Sequence, residues 1–240
     1  MPPSDQAVWR PSDERRELGA ALRGLLDVVV GTAAEPAELR AAAEAVEQLA
    51  ARLARPAAKV ELNLETGSFF DHMSVVGGTS HPIAPQLQLT PTQDGAEGVV
   101  VIGPLFQGGP GLVHGGIVAL LIDHAMGCVA ATPQRPAMTA SLTMRYRRPT
   151  PLGVPLTVSV RLDRIEGRKL HLSAQITADD VVTVEADAVF LVLTDDNLET
   201  VFRRPEPRRN GPGPASSRPP AKQQRWATAV AVSTALGHRC

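Results

Sequence analysis

One carboxylate stands alone in an apolar run. Between Ile117 and Ala131 every residue except Asp123 and His124 is apolar, Gly or Cys, and the run opens on Gly115-Gly116. A helix that is apolar on nearly all sides is a buried helix. An unpartnered carboxylate is costly to bury, so Asp123 reads as a group with a task. The glycines supply the complementary half. Free N–H groups at a helix start, with no side chains above them, form a positive site for an oxyanion.

Spacing limits how the two halves can cooperate. Gly116 and Asp123 lie seven residues apart, roughly 10 Å along a helix axis. A reacting carbonyl must sit within about 3 Å of both its nucleophile or base and its oxyanion donors. One chain cannot easily offer both to one substrate, whereas a two-fold homodimer can. The motif therefore predicts a homodimer with shared sites; a dimer of dimers is left open.

The elements around this helix follow from periodicity. Residues from about Ser12 to Leu26 and from Pro36 to Leu53 read as helices, with Ser12 as a cap and Pro36 in a first turn. Leu39, Ala42, Val46, Leu49 and Leu53 share a face, which predicts a packed second helix. From Pro85 the period becomes two. Leu87 and Leu89 alternate with polar neighbours, Gly98–Ile102 is a short apolar strand, and residues 137–148, 154–163, 170–176 and 181–193 complete a set of strands. In the first of these four, Ala140, Leu142, Met144 and Tyr146 are expected on one face, with Thr139, Ser141, Thr143, Arg145 and Arg147 on the other. Glu166-Gly167-Arg168 and Asp179-Asp180 read as turns. The fold class is α+β: a long central helix wrapped by a curved antiparallel sheet, with extra N-terminal helices. The expected organisation is a helical extension over 1–60, a loop or lid over 61–84 that carries Phe69-Phe70, the main domain over 85–194, and a disordered basic tail over 195–240.

Composition narrows the functions. The 240 residues carry a formal net charge of -1, and residues 1–200 hold 16 basic against 24 acidic groups, so the body is no nucleic-acid binder by charge. Cys128 reads as a buried apolar filler, and with Cys240 it makes neither a disulfide framework nor a metal spacing. His72, His81, His114 and His124 show no converging ligand pattern, so neither a metal nor a cofactor is expected. No secretory signal is visible, and the apolar run is too short to insert stably in a bilayer. The expectation is a cytoplasmic protein.

Val113-His114-Gly115-Gly116, the nine residues from His114 to Asp123 and the closing Gly127 resemble the signature of hot-dog-fold acyl-CoA thioesterases. Phe106–Gly116, Thr139–Pro151 (TASLTMRYRRPTP) and Leu162–Lys169 (LDRIEGRK) resemble the thioesterase superfamily member 4/5 branch of the PaaI-like group. The resemblance covers about residues 84–193. It implies hydrolysis of an acyl-CoA to free acid and CoA, in fatty acid metabolism. Asp123 would be the catalytic carboxylate, as general base for water or as nucleophile. Gly116, with Gly115 beside it, would present its N–H to the thioester oxygen. His114 would shape the turn or contact the thioester. Thr139 would orient water or the carboxylate, with Ser141 as its backup. Arg145 and Arg147, together with Arg168 and Lys169 at the hairpin, would meet the phosphates of CoA. Many PaaI-type enzymes carry an Asn shortly before the His; here the region reads Gln107-Gly108-Gly109-Pro110, so a role resting on that Asn has no counterpart.

Two other readings compete. A non-catalytic acyl-CoA-binding or regulatory dimer would have little need of a buried carboxylate. A hydratase or dehydratase would need an Asp and a His several residues apart, whereas Asp123 and His124 are adjacent and point to different sides of the helix.

Overall fold

The period-two segments become a single antiparallel sheet because those over residues 95–101 and 155–192 bury alternate apolar side chains on one face. In the computed structural model, which describes residues 12–54, 74–131 and 136–194, the strands are β1 (Thr90–Pro91), β2 (Gly95–Val101), β3 (Ala137–Tyr146), β4 (Pro155–Glu166), β5 (Lys169–Ala178) and β6 (Val181–Val192). The sheet order is β1-β2-β4-β5-β6-β3, which leaves β3 at one edge. Leu156, Val158 and Val160 on β4 and Leu170, Leu172, Ala174 and Ile176 on β5 all point into the core, as their alternation predicts. The β5–β6 turn is Asp179-Asp180, with φ of 49° and 61°, the left-handed pair that a two-residue hairpin favours. Gly167, at φ 58°, opens the β4–β5 turn.

Among the described residues three α-helices accompany the sheet: α1 (Asp13–Gly31), α2 (Pro36–Leu53) and α3 (Gly115–Ala130). Ser12 caps α1 by accepting from Arg15 N–H, and Pro36 sits in the first turn of α2. α3 lies against the inner face of the sheet and buries Val118, Leu121, Ile122, Ala125, Met126 and Ala130. Burying each of the larger side chains there stabilises the fold by about 1.5–3 kcal/mol relative to exposure. This is the hot-dog arrangement, one long helix wrapped by a curved antiparallel sheet.

Several expectations fail for definite reasons. α3 is not covered on all sides: one sheet covers one face, so Gly116 and Cys128 are exposed and Asp123 and His124 half-buried. Cys128 is therefore not a buried filler. No residue of α2 is buried and only Leu49 of its apolar stripe is half-buried, so the stripe is largely uncovered among the described residues. Helix α1 runs past Leu26 to Gly31. It docks through Gly19, where a Cβ would stand 2.7 Å from the Ser80 carbonyl oxygen, and through Arg23, which donates to the His81 carbonyl at 2.8 Å. The Leu87/Leu89 segment pairs as a strand only at Thr90–Pro91, since Gln86 takes a φ of 63° that breaks extended backbone. The expectations for Phe69-Phe70, His72, Cys240 and the basic tail lie outside the described residues.

Candidate active site

A short looped segment builds the entry to α3. His114 N–H donates to the Phe106 carbonyl at 2.9 Å, Val113 N–H to the Thr150 carbonyl at 2.9 Å, and Gly108 N–H to the Leu112 carbonyl at 2.9 Å. Gly108 is needed for this approach, because a Cβ there would lie 2.8 Å from His114 Cα. Gln107, where the resembling enzymes place their Asn nearby, accepts from Gly111 N–H through Oε1 at 3.3 Å.

His114 is the N-cap of α3, with φ −60° and ψ 132°. Its Nδ1 accepts from Gly116 N–H at 3.0 Å, so the ring carries its proton on Nε2. The Gly116 N–H expected to face a substrate oxygen is therefore engaged within the chain. The Gly115 N–H has no partner among the described residues and is the open donor at the positive end of the helix. Beside it lies a cavity of about 540 Å³, with Leu112, Val113 and Val118 on its apolar side and Arg147 and Arg148 on its cationic side. Tyr146, the only tyrosine of the chain, also lines it and donates through Oη to the Gly115 carbonyl at 2.9 Å. Tyr146 was not among the sequence candidates. The available signal was a lone phenol in the register of Leu142 and Met144, whose ring is apolar and whose hydroxyl can donate.

Asp123 lies two turns further along α3. Thr139 Oγ1 donates to its Oδ1 at 2.8 Å. A β-bulge makes this contact possible: Thr139 pairs with Phe190 and Ser141 with Val189, so Ala140 is an extra residue in the ladder. The bulge reverses the expected faces. Thr139 shares the helix-facing side with Leu142, Met144 and Tyr146, while Ser141, Thr143 and Arg145 are on the other. Ser141 is thereby removed from Asp123 and cannot back up Thr139.

The expected phosphate contacts divide in the same way. Arg145 pairs with Asp187, and that hydrogen bond and charge hold the guanidinium above its ordinary value. Arg147 pairs with Glu185 through Nε and Nη2 at 2.9 and 2.8 Å. Arg168 and Lys169 are exposed at the β4–β5 turn. Lys169 and Met138 both pair with Leu191, so the turn lies at the Asp123–Thr139 end of the sheet.

His124 turns away from Asp123's partner. Its Nδ1 meets Ser74 Oγ at 3.4 Å and its Nε2 meets Cys128 Sγ at 3.6 Å. Burial lowers its pKa from the ordinary histidine value, and the Asp123 charge opposes that shift. Among the described residues no cluster of His, Cys, Asp and Glu could hold a metal ion.

A bare helix N-terminus and a hydroxyl-tethered carboxylate thus stand two turns apart on one hot-dog helix. The chain belongs to the thioesterase superfamily. The pattern of that family matches residues 110–185. A solved thioesterase superfamily protein, RHA08564, is 32% identical, with a TM-score of 0.67 over 76% of this chain and 97% of its own. Among curated relatives, acyl-coenzyme A thioesterase THEM4 of Xenopus laevis is 40% identical over 93 residues, 38% of this chain and 42% of that protein. THEM4 of Bos taurus is 40% identical over 101 residues, 41% of each. The chain thus spans about two fifths of the length of these curated relatives.

Proposed function

We propose that the chain is an acyl-CoA thioesterase that hydrolyses a CoA thioester at sites shared across a homodimer. The observation that carries the reading is the separation of two functional ends on one helix. The unpartnered Gly115 N–H stands at the start of α3, and the Asp123–Thr139 pair lies about 12 Å further along its axis. A substrate carbonyl within hydrogen-bond reach of one is out of reach of the other in the same chain. Two protomers with antiparallel α3 helices bring the Gly115 end of one to the Asp123 end of its mate. Exposed Met138 and Tyr146 on the edge strand β3, and the uncovered side of α3, supply the surface for that pairing.

In the proposed reaction the thioester oxygen accepts from Gly115 N–H, where the helix dipole favours the charge that develops on it. The Asp123 carboxylate of the mate takes a proton from water. Thr139 ties up Oδ1 and offers its own oxygen as a second acceptor, so the pair can hold one water with a lone pair aimed at the carbonyl carbon. CoA leaves as a thiolate. The acyl group fills the cavity along Leu112, Val113 and Val118. The nucleotide extends toward Arg168 and Lys169 of the protomer that supplies Asp123. CoA esters are too polar to cross membranes unaided, so the proposed enzyme shares the compartment that holds its substrate, for which we propose the cytoplasm. No helix among the described residues is long and apolar enough to cross a membrane.

The test is a panel of straight-chain and aromatic CoA esters offered to the purified protein and to Asp123→Asn. Turnover of at least one ester by the wild type, reduced by about a hundredfold or more in the variant, supports the reading. Tight binding of acyl-CoA without turnover would favour the non-catalytic alternative instead.

A further inference from the structure

We infer that Tyr146 is a positioning residue for the thioester-polarising N–H, acting through the glycine pair that opens α3. The inference rests on the thioesterase reading and names a residue that reading does not use.

The Gly115 carbonyl and the Gly116 N–H are the two ends of one peptide unit. Tyr146 Oη donates to the carbonyl at 2.9 Å, and the N–H donates to His114 Nδ1 at 3.0 Å. A single peptide plane is thereby clamped at both ends by side chains from different elements, the edge strand β3 and the cap of α3. The clamp falls where the backbone most needs one. Two consecutive glycines carry no side chains to pack, and glycine is the residue least restrained in φ and ψ. The first turn of a helix also lacks the preceding turn that would hold its N–H groups.

The Tyr146 ring reinforces the clamp. A Cβ on Gly115 would stand 3.6–3.7 Å from Cε1, Cζ and Oη, so the ring borders the space where a side chain at Gly115 would sit. One strand therefore ties both functional regions of α3: Thr139 near the start of β3 holds Asp123, and Tyr146 at its end holds Gly115. Each hydrogen bond on the 115–116 peptide also polarises the other. Without the phenol hydroxyl, the first turn frays and the neighbouring Gly115 N–H spreads over a wider range of directions. Donor direction is what converts a bound carbonyl into a polarised one, so the loss falls on the chemical step.

Tyr146→Phe removes only the hydroxyl and leaves the ring in place. The expected result is a fall in kcat of about tenfold with KM unchanged and thermal stability near wild type. A second measurement reads polarisation directly. The fastest ester of the panel, labelled at its carbonyl carbon, is bound to Asp123→Asn, and its carbonyl stretch is recorded by difference infrared spectroscopy. The band is expected to move to lower frequency than in solution, and to move less in Asp123→Asn/Tyr146→Phe. Unchanged kcat in Tyr146→Phe, a change confined to KM, or an identical carbonyl band in both proteins would overturn the inference. Failure of the wild type to turn over any ester of the panel would instead overturn the thioesterase reading itself, so the two failures are distinct.

Discussion

Thr139 donates to Asp123 at 2.8 Å because one extra residue, Ala140, turns the start of β3 over. In an unbroken ladder Thr139 would share a face with Ser141 and Arg145 and point away from α3. The bulge therefore sets the contact as much as the threonine does.

The first prediction concerns that contact. Thr139→Ala should lower kcat by about tenfold to a hundredfold, since it frees the carboxylate and removes one of the two acceptors for water. Thr139→Ser should keep most of the activity. Ser141→Ala should resemble wild type because Ser141 faces away from the helix. Steady-state rates on the best CoA ester check all three, and equal losses in Thr139→Ala and Ser141→Ala would contradict the assignment.

The second concerns charge. Arg145 and Arg147 are occupied by Asp187 and Glu185, whereas Arg168 and Lys169 carry no ion pair among the described residues and lie at the Asp123 end. Arg168→Ala/Lys169→Ala should raise KM for CoA esters several-fold and leave a short thioester without the nucleotide unaffected. Arg145→Ala should change neither. The discriminating measurement is the KM ratio between the two substrate types.

The third is a pH dependence of stability. Burial lowers the pKa of His124 in the folded chain below its ordinary value of 6.5, despite the opposing Asp123 charge. The unfolded chain then binds a proton more readily than the native one. The stability linked to His124 is fully present above pH 6.5 and is lost as pH falls through the lower folded value. Melting curves between about pH 7 and pH 5 should fall more steeply for wild type than for His124→Gln; parallel curves would contradict this.

Much of the fold was legible in the residues because β4, β5 and β6 alternate against one core over most of their lengths. The hairpin residues Gly167, Asp179 and Asp180 adopt the left-handed backbone that their types allow. The helix-three motif was legible too, since a lone carboxylate and a glycine pair stand out in an apolar run. The bulge at Ala140 was not, because an inserted alanine has no compositional mark and reverses every face before it. Nor could the sequence separate the two glycine N–H groups. That depended on where the His114 ring points, and it shifts the open donor from Gly116 to Gly115. The stripe on α2 had the right period for packing, but periodicity shows that a face is apolar and not what covers it.

The most direct test of a site shared between protomers is subunit complementation. Gly115→Pro deletes the open N–H at the first helical position, where proline is well tolerated. The preceding His114 already has the extended backbone that a following proline requires. Asp123→Asn removes the carboxylate, and each variant alone should be nearly inactive on CoA esters. Co-refolded in equal amounts, half the dimers are mixed and each mixed dimer holds one intact site, so about a quarter of wild-type activity should return. No recovery in verified mixed dimers would contradict the shared site.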